Sequence, residues 1–254
     1  MKTFLFFLII LISFNKAYNQ TNEINKKKNI IVIVHGAWGG SWAFKKVDSL
    51  LTSKGLIVYR PCLTGQGERF HLSSSDINLS THVKDVVNMI LYEDIYNVVI
   101  VGHSYGGMVV TGVADSIPER IRKIIYLDAF IPDSGKSVLD IVGENDVKWI
   151  NSLVKDDFMI PKWVPNDKKP PKDVPMSFKT FTEKISLKNK NTAVIPKTYI
   201  LTVDKGKKPE EDSFYPFAQK AIKQNYKYYE MTADHNPQWS EPEKLADILY
   251  NEAK

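Results

Sequence analysis

A serine flanked by glycines two positions before and two after, Gly102-His103-Ser104-Tyr105-Gly106, follows the branched apolar run Val98-Val99-Ile100-Val101 and precedes an apolar helical pattern. That is a buried strand, a sharp turn and a helix. Such an elbow holds a serine in strained backbone geometry, and glycines are needed where flanking side chains would collide. Ser104 is therefore the candidate nucleophile. A serine hydroxyl attacks poorly at neutral pH unless a base takes its proton, so a histidine must converge on it. Of His35, His71, His82, His103 and His235, His71 falls in a loop and His82 on a polar helix face, while His103 is the elbow's own residue and points away from the hydroxyl. Structural roles are expected for those three. His235, in Ala233-Asp234-His235-Asn236-Pro237 after the last strand pattern, occupies the kind of loop, at the carboxyl end of a parallel strand, where catalytic groups gather. His235 is the expected base.

The base needs a carboxylate to hold its tautomer and stabilise the imidazolium. Asp204 closes the strand pattern Tyr199–Val203, and Asp128 closes an earlier one. Asp204 is preferred, because a Ser…Asp…His order with the acid after the penultimate strand is usual for such an elbow; Asp128 is the reserve. Asp234 is expected to bond within its own loop. The oxyanion formed on attack at an ester carbonyl needs preorganised donors, each contributing about 3–4 kcal/mol. The backbone N–H of Tyr105, after the nucleophile, is one candidate, and that of Ala37, in the glycine-rich loop His35-Gly36-Ala37-Trp38-Gly39-Gly40, is the other.

Elements able to position these groups are legible along the chain. Ile30-Ile31-Val32-Ile33-Val34 is continuously β-branched, the pattern of a strand buried on both faces of a parallel sheet. Ser41 is expected to cap the helix that follows, and Gly55 to end it. Leu56–Tyr59 is a second strand. Ser80 is expected to cap a helix whose Val83, Val86, Val87, Ile90 and Leu91 make one apolar stripe. Further strands run from Lys123 to Phe130, Lys197 to Val203 and Lys227 to Met231, with a helix over 213–224 and a last helix opened by a Ser240-x-x-Glu243 capping box. The sum is an α/β fold: a doubly wound, mostly parallel sheet of about six strands. Residues 134–192 break the alternation with dense charges, prolines and scattered aromatics, a segment too long for a plain connection. They read as a cap inserted into a core formed by 21–133 and 193–254.

The size and 43% hydrophobic content suit a globular core rather than a disordered chain. Lys2 followed by the apolar stretch Phe4–Phe14 has the form of a signal peptide. Residues 1–20 are expected to be removed on export, giving a secreted or periplasmic protein with no stable membrane association. Loss of Lys2 and Lys16 with that segment takes the net charge of +5 to +3, which is no nucleic-acid signature. Cys62 is the only cysteine, so no intrachain disulfide can form.

With these motifs in order, the chain resembles the α/β-hydrolase superfamily and, within it, the methylesterase and hydroxynitrile lyase group. The resemblance rests on His35-Gly36-Ala37-Trp38 with Trp42, Gly102 to Gly107, Asp128-Ala129-Phe130-Ile131-Pro132, Val203-Asp204-Lys205, and Ala233-Asp234-His235 with Pro237 and Ser240-Glu241-Pro242. The loop Leu63-Thr64-Gly65-Gln66-Gly67-Glu68-Arg69 is similar to that of the group's bacterial carboxylesterase branch. The resemblance implies Ser104, His235 and Asp204 as triad, Ala37 and Tyr105 as oxyanion-hole donors, a helical cap, no cofactor or metal, and small hydrophobic or aromatic carboxylic esters as substrates. Two departures weigh against lyase activity. Lyases of this group carry a threonine where Gly36 stands and a lysine where Asn236 follows the histidine. A binding protein with slow or absent turnover on the same fold is the alternative from another class.

Overall fold

The computed structural model describes residues 29–254; the stretch read as a signal peptide lies outside the described residues. Strand β1 is Ile30–Val34, entirely buried. Ile30, Val32 and Val34 pack on one face of the sheet and Ile31 and Ile33 on the other. That two-sided burial is why the run is apolar at every position rather than at alternate ones. Helix α1 (Lys45–Ser53) and strand β2 (Ile57–Tyr59) follow, then helix α2 (Leu79–Tyr92), strand β3 (Val98–His103), helix α3 (Gly106–Ser116) and strand β4 (Ile121–Leu127).

After β4 comes the insertion, which carries helix α4 (Glu144–Leu153), three two-residue strands β5 (Val154–Lys155), β6 (Phe158–Met159) and β7 (Met176–Ser177), and the single-turn helix α5 (Lys179–Thr182). The core then resumes with β8 (Lys197–Val203), α6 (Tyr215–Lys223), β9 (Lys227–Thr232), the short α7 (Pro237–Ser240) and α8 (Pro242–Ala253). The large sheet has the order β2-β1-β3-β4-β8-β9 with every pair parallel. Helices α1 and α8 bury Val47, Leu51, Leu245 and Leu249 against the Ile31 face. Helices α2, α3 and α6 cover the opposite face with Val86, Ile90, Met108, Val109 and Phe217. The six-strand doubly wound expectation is met.

Four local expectations are corrected. The insertion is helical only in part, because β5, β6 and β7 form a small antiparallel sheet. Asp156 and Asp157 make its first turn with φ of 50° and 63°, the left-handed pair that two-residue hairpins use. Helix α2 is capped not by Ser80 but by Asn78, in a reciprocal box with Thr81; the Ser80 hydroxyl instead donates to Glu183 of the insertion at 2.7 Å. Ser41 lies inside a 3-10 turn and bonds Glu68 rather than capping α1. At α8 the cap position is Glu241 with Pro242 behind it, and Ser240 donates to Asp234. Ser80 and Ser41 found tertiary partners that local sequence does not show, and Ser240 turned back to its own loop.

Helix α8 is fastened to the sheet by one buried carboxylate. Glu252 accepts from Lys123 (3.0 Å), Thr198 (2.8 Å), Lys227 (2.6 Å) and Tyr229 (2.7 Å), joining it to β4, β8 and β9. Burial alone would raise its carboxyl, but those four donors outweigh it and hold the group down to about 2.

Candidate active site

The elbow owes its glycines to three close approaches. A Cβ on Gly102 would lie 2.5 Å from the Gly106 carbonyl oxygen, one on Gly106 2.6 Å from that of Val34, and one on Gly107 2.2 Å from that of Phe130. Only glycine lets α3 start this close to β1 and to the loop after β4. Between them Ser104 takes φ 55°, a left-handed conformation that costs an ordinary residue about 1–3 kcal/mol and that its surroundings must enforce. They do so through Ser104 N–H donating to Leu127 O (3.2 Å) and Phe130 N–H donating to Ser104 O (3.2 Å).

Ser104 Oγ lies 3.1 Å from His235 Nε2, and His235 Nδ1 lies 2.6 Å from Asp128 Oδ2. With the imidazole proton on Nδ1, that nitrogen donates to the carboxylate and Nε2 is free to accept from the hydroxyl. Phe214 stacks on the ring at 4.8 Å and 11°, and His103 Nε2–H donates to the His235 carbonyl at 2.7 Å. His103 itself is buried and held neutral, its pKa lowered to about 3 by burial first and the nearby His235 second. It positions the loop, as expected of it.

Asp204, the preferred acid, does not reach His235. Its carboxylate pairs with Lys207 at 2.7 Å and its side chain is 46% exposed. Asp128, the reserve, occupies the place instead: it is fully buried with φ 43°, and its second oxygen accepts the Thr202 N–H at 3.0 Å. The physical reason is strand register. β4 and β8 run side by side with Leu127 opposite Ile200, so the residue just past β4 sits under the histidine loop, while Val203 carries β8 further and delivers Asp204 to solvent. Asp234 bonds its own loop, accepting from Asn236 N–H and Ser240 Oγ at 2.9 Å each.

The glycine-rich loop after β1 borders Ser104 directly: a Cβ on Gly36 would stand 3.0 Å from Ser104 Cβ and 3.1 Å from His103 Nδ1. His35, buried, donates from Nδ1 to the Gly36 carbonyl (2.8 Å) and accepts Leu63 N–H at Nε2 (3.1 Å). Because a peptide unit is planar and trans, holding the Gly36 carbonyl fixes the Ala37 N–H on the opposite side of that unit, away from His35. Tyr105 is buried, and its hydroxyl donates to His82 Nδ1 (3.0 Å), whose Nε2–H donates to Thr64 O (3.0 Å). His82 thus lies inside the protein rather than on a polar face, and burial lowers its pKa to about 4. Its place three residues after Leu79 and four before Val86, on the buried stripe of α2, is the signal in the sequence that points to this. His71 lies in an exposed turn.

These groups open on a cavity of about 710 Å³ lined by Gly36, Ala37, Ser104, Asp128 and His235 and walled by aromatic rings from both core and insertion, among them Trp38, Trp149, Trp163, Phe181, Phe214 and Trp239. Trp149, Trp163 and Phe181 come from the insertion, so the segment after β4 forms one wall. Among the described residues no group of three or more His, Cys, Asp or Glu side chains converges so as to hold a metal ion.

A parallel sheet with a serine elbow, a histidine from the last loop against the serine and a buried aspartate behind the histidine defines a class of protein. The chain belongs to the alpha/beta hydrolase family, whose model matches residues 31–248. It is 47% identical over 111 residues to a carbendazim hydrolyzing esterase of Nocardioides sp. (strain SG-4G), an alignment covering 44% of this chain and 46% of that protein. To putative methylesterase 15, chloroplastic, of Arabidopsis thaliana it is 27% identical over 261 residues, covering 86% of this chain and 55% of that one. The chain thus spans about half the length of these relatives. In structure it resembles an extracellular alpha/beta-hydrolase from a Paenibacillus species, described as sharing structural and functional homology with tobacco salicylic acid binding protein 2, with TM-score 0.74, 23% identity, and coverage of 87% of this chain and 98% of that one.

Proposed function

We propose that the protein hydrolyses carboxylic esters of small hydrophobic or aromatic groups through Ser104, His235 and Asp128. The observation that carries the proposal is the continuous relay from hydroxyl to imidazole to buried carboxylate, 3.1 Å and 2.6 Å long. His235 Nε2 takes the Ser104 proton as Oγ attacks the ester carbonyl. Asp128 stabilises the imidazolium without taking its proton. The tetrahedral oxyanion is received by the Ala37 and Tyr105 N–H groups. The imidazolium then protonates the leaving alcohol, and water activated by the same His235 releases the acid from the acyl-enzyme. The esterase and methylesterase names of its relatives support this chemistry. Export of the protein, carried by the Phe4–Phe14 stretch, belongs to the proposal too, and N-terminal sequencing of protein from the medium or periplasm checks it.

The test is steady-state turnover of p-nitrophenyl acetate and butyrate by the wild type and Ser104→Ala. Turnover lost in the variant, with a single organophosphate adduct on Ser104, is expected; stoichiometric ligand binding without turnover would favour a binding protein. Lyase activity is disfavoured by the site. Gly36 has no room for a threonine side chain without displacing Ser104 or His103, and Asn236, which lines the cavity, offers no positive charge to a leaving cyanide.

A further inference from the structure

The cavity is acidic in a chain whose net charge is +5. Its lining includes Asp128, Asp146, Asp173 and Asp212 but no lysine or arginine. Asp128 is engaged by His235 and Thr202. The other three form no ion pair among the described residues. Asp173 accepts only the Trp163 indole N–H, at 2.8 Å, and Asp212 accepts Phe214 N–H at 2.8 Å.

Beside Asp173 three indoles meet. Trp149 and Trp163 lie near parallel, with centroids 6.1 Å apart and 15° between planes, and Trp38 stands edge-on to both at 5.9 Å and 5.1 Å. Val174 N–H donates to Trp38 O at 2.9 Å, which ties the Asp173 segment to the loop that carries Ala37. Trp149 and Trp163 remain about half exposed, a large uncovered π surface next to carboxylates. Aromatic faces and nearby carboxylates share one preferred guest, a compact organic cation. A third feature agrees: the buried side-chain atom of the lining that has no partner is Gln238 Oε1, another acceptor.

We infer that the ester this cavity takes carries a quaternary ammonium or protonated amine, seated against Trp38, Trp149 and Trp163 and balanced by Asp146 and Asp173. The inference rests on the ester hydrolysis proposed above and concerns only which esters are preferred. An anionic ester would meet four carboxylates with no compensating cation. A neutral one would cover the indoles but leave Asp173 desolvated, a cost already visible in the upward shift that burial gives its carboxyl.

The experiment compares butyrylcholine with its neutral carbon isostere 3,3-dimethylbutyl butyrate. The wild type is expected to prefer the cationic ester by about tenfold or more in kcat/KM, mostly through KM. That ratio, taken within each variant so that any general loss cancels, is expected to fall several-fold in Asp173→Asn and in Trp149→Leu and to shrink with added salt. A wild-type ratio of one or below overturns the inference. If both butyrates are inert while p-nitrophenyl butyrate is hydrolysed, phenyltrimethylammonium decides: competitive inhibition supports the inference and none at millimolar concentration overturns it. Failure to hydrolyse p-nitrophenyl butyrate defeats the esterase reading alone. Calorimetric binding of phenyltrimethylammonium to Ser104→Ala then decides the cation site separately, binding supporting it and its absence overturning it.

Discussion

Two neighbouring strands, β4 and β8, each end in an aspartate at the same edge of the sheet, and the two aspartates have opposite fates. Asp128 is fully buried, held by Thr202 N–H and facing His235 at 2.6 Å; Asp204 is half exposed and paired with Lys207. An exposed pair of that kind contributes roughly 0–1 kcal/mol. A buried carboxylate whose partners are an amide and an imidazole can orient a ring and respond to a proton that arrives on it. Position at a strand end therefore does not by itself set a carboxylate against the histidine. What does is burial beneath the histidine.

The sharpest way to break this comparison is substitution at the two aspartates. Asp128→Asn keeps the shape but presents an amide to His235 Nδ1–H, favouring the wrong tautomer, and kcat for p-nitrophenyl butyrate is expected to fall about 10⁴-fold, roughly 5.5 kcal/mol. The comparison is reversed if Asp204→Asn shows that loss instead. The buried side of the site also sets a pH dependence. His82 has its folded-state value lowered to about 4 from 6.5, so the unfolded chain binds the proton first. The stabilisation is complete above pH 6.5 and is lost as pH falls towards 4, roughly 3 kcal/mol in all. Urea unfolding at pH 7, 5.5 and 4.5 should show a falling midpoint, and a flat profile would contradict a neutral buried imidazole.

Glu252, at the far end of the sheet, sharpens the contrast from another side, being a buried carboxylate matched by two lysines rather than by a histidine. Glu252→Gln should lower stability by about 2–3 kcal/mol, on the low side of what breaking a buried ion pair costs, and leave kcat alone. Because its folded value of about 2 lies below the ordinary 4.5, its contribution is present above pH 4.5 and lost as pH falls towards 2. Gly36→Ala places a methyl 3.0 Å from Ser104 Cβ; a loss of about tenfold in kcat, about 1.4 kcal/mol, is expected with the melting temperature little changed. The smallest effect belongs to Asp204→Asn, where turnover should stay within about twofold, as for an exposed ion pair.

How far the sequence reached differs from one residue to the next. The β-branched runs of β1 and β3, the elbow glycines and His235 were legible because their requirements are local: period, steric room and position at a strand end. The caps of α2 and α8 differ from the local pattern, which assigns the Ser80 and Ser240 hydroxyls to helix starts: Glu183 claims Ser80 from the insertion, and Asp234 holds Ser240 within the loop before α8. His82 reads as part of a polar helix face because the partners that satisfy its buried ring, Tyr105 and Thr64, are distant in sequence.

By itself, then, the sequence determined that a serine on a strained elbow would stand at the end of a buried parallel strand with a histidine following the last one, since backbone sterics and hydrophobic periodicity operate within a few residues. Tertiary structure alone decided which carboxylate completes the relay and what lines the cavity. The choice between Asp128 and Asp204 turns on the register between β4 and β8, and the meeting of Trp38, Trp149 and Trp163 with Asp173 depends on how the insertion folds back over the core. Both are contacts between segments far apart in the chain, which only the folded packing brings together.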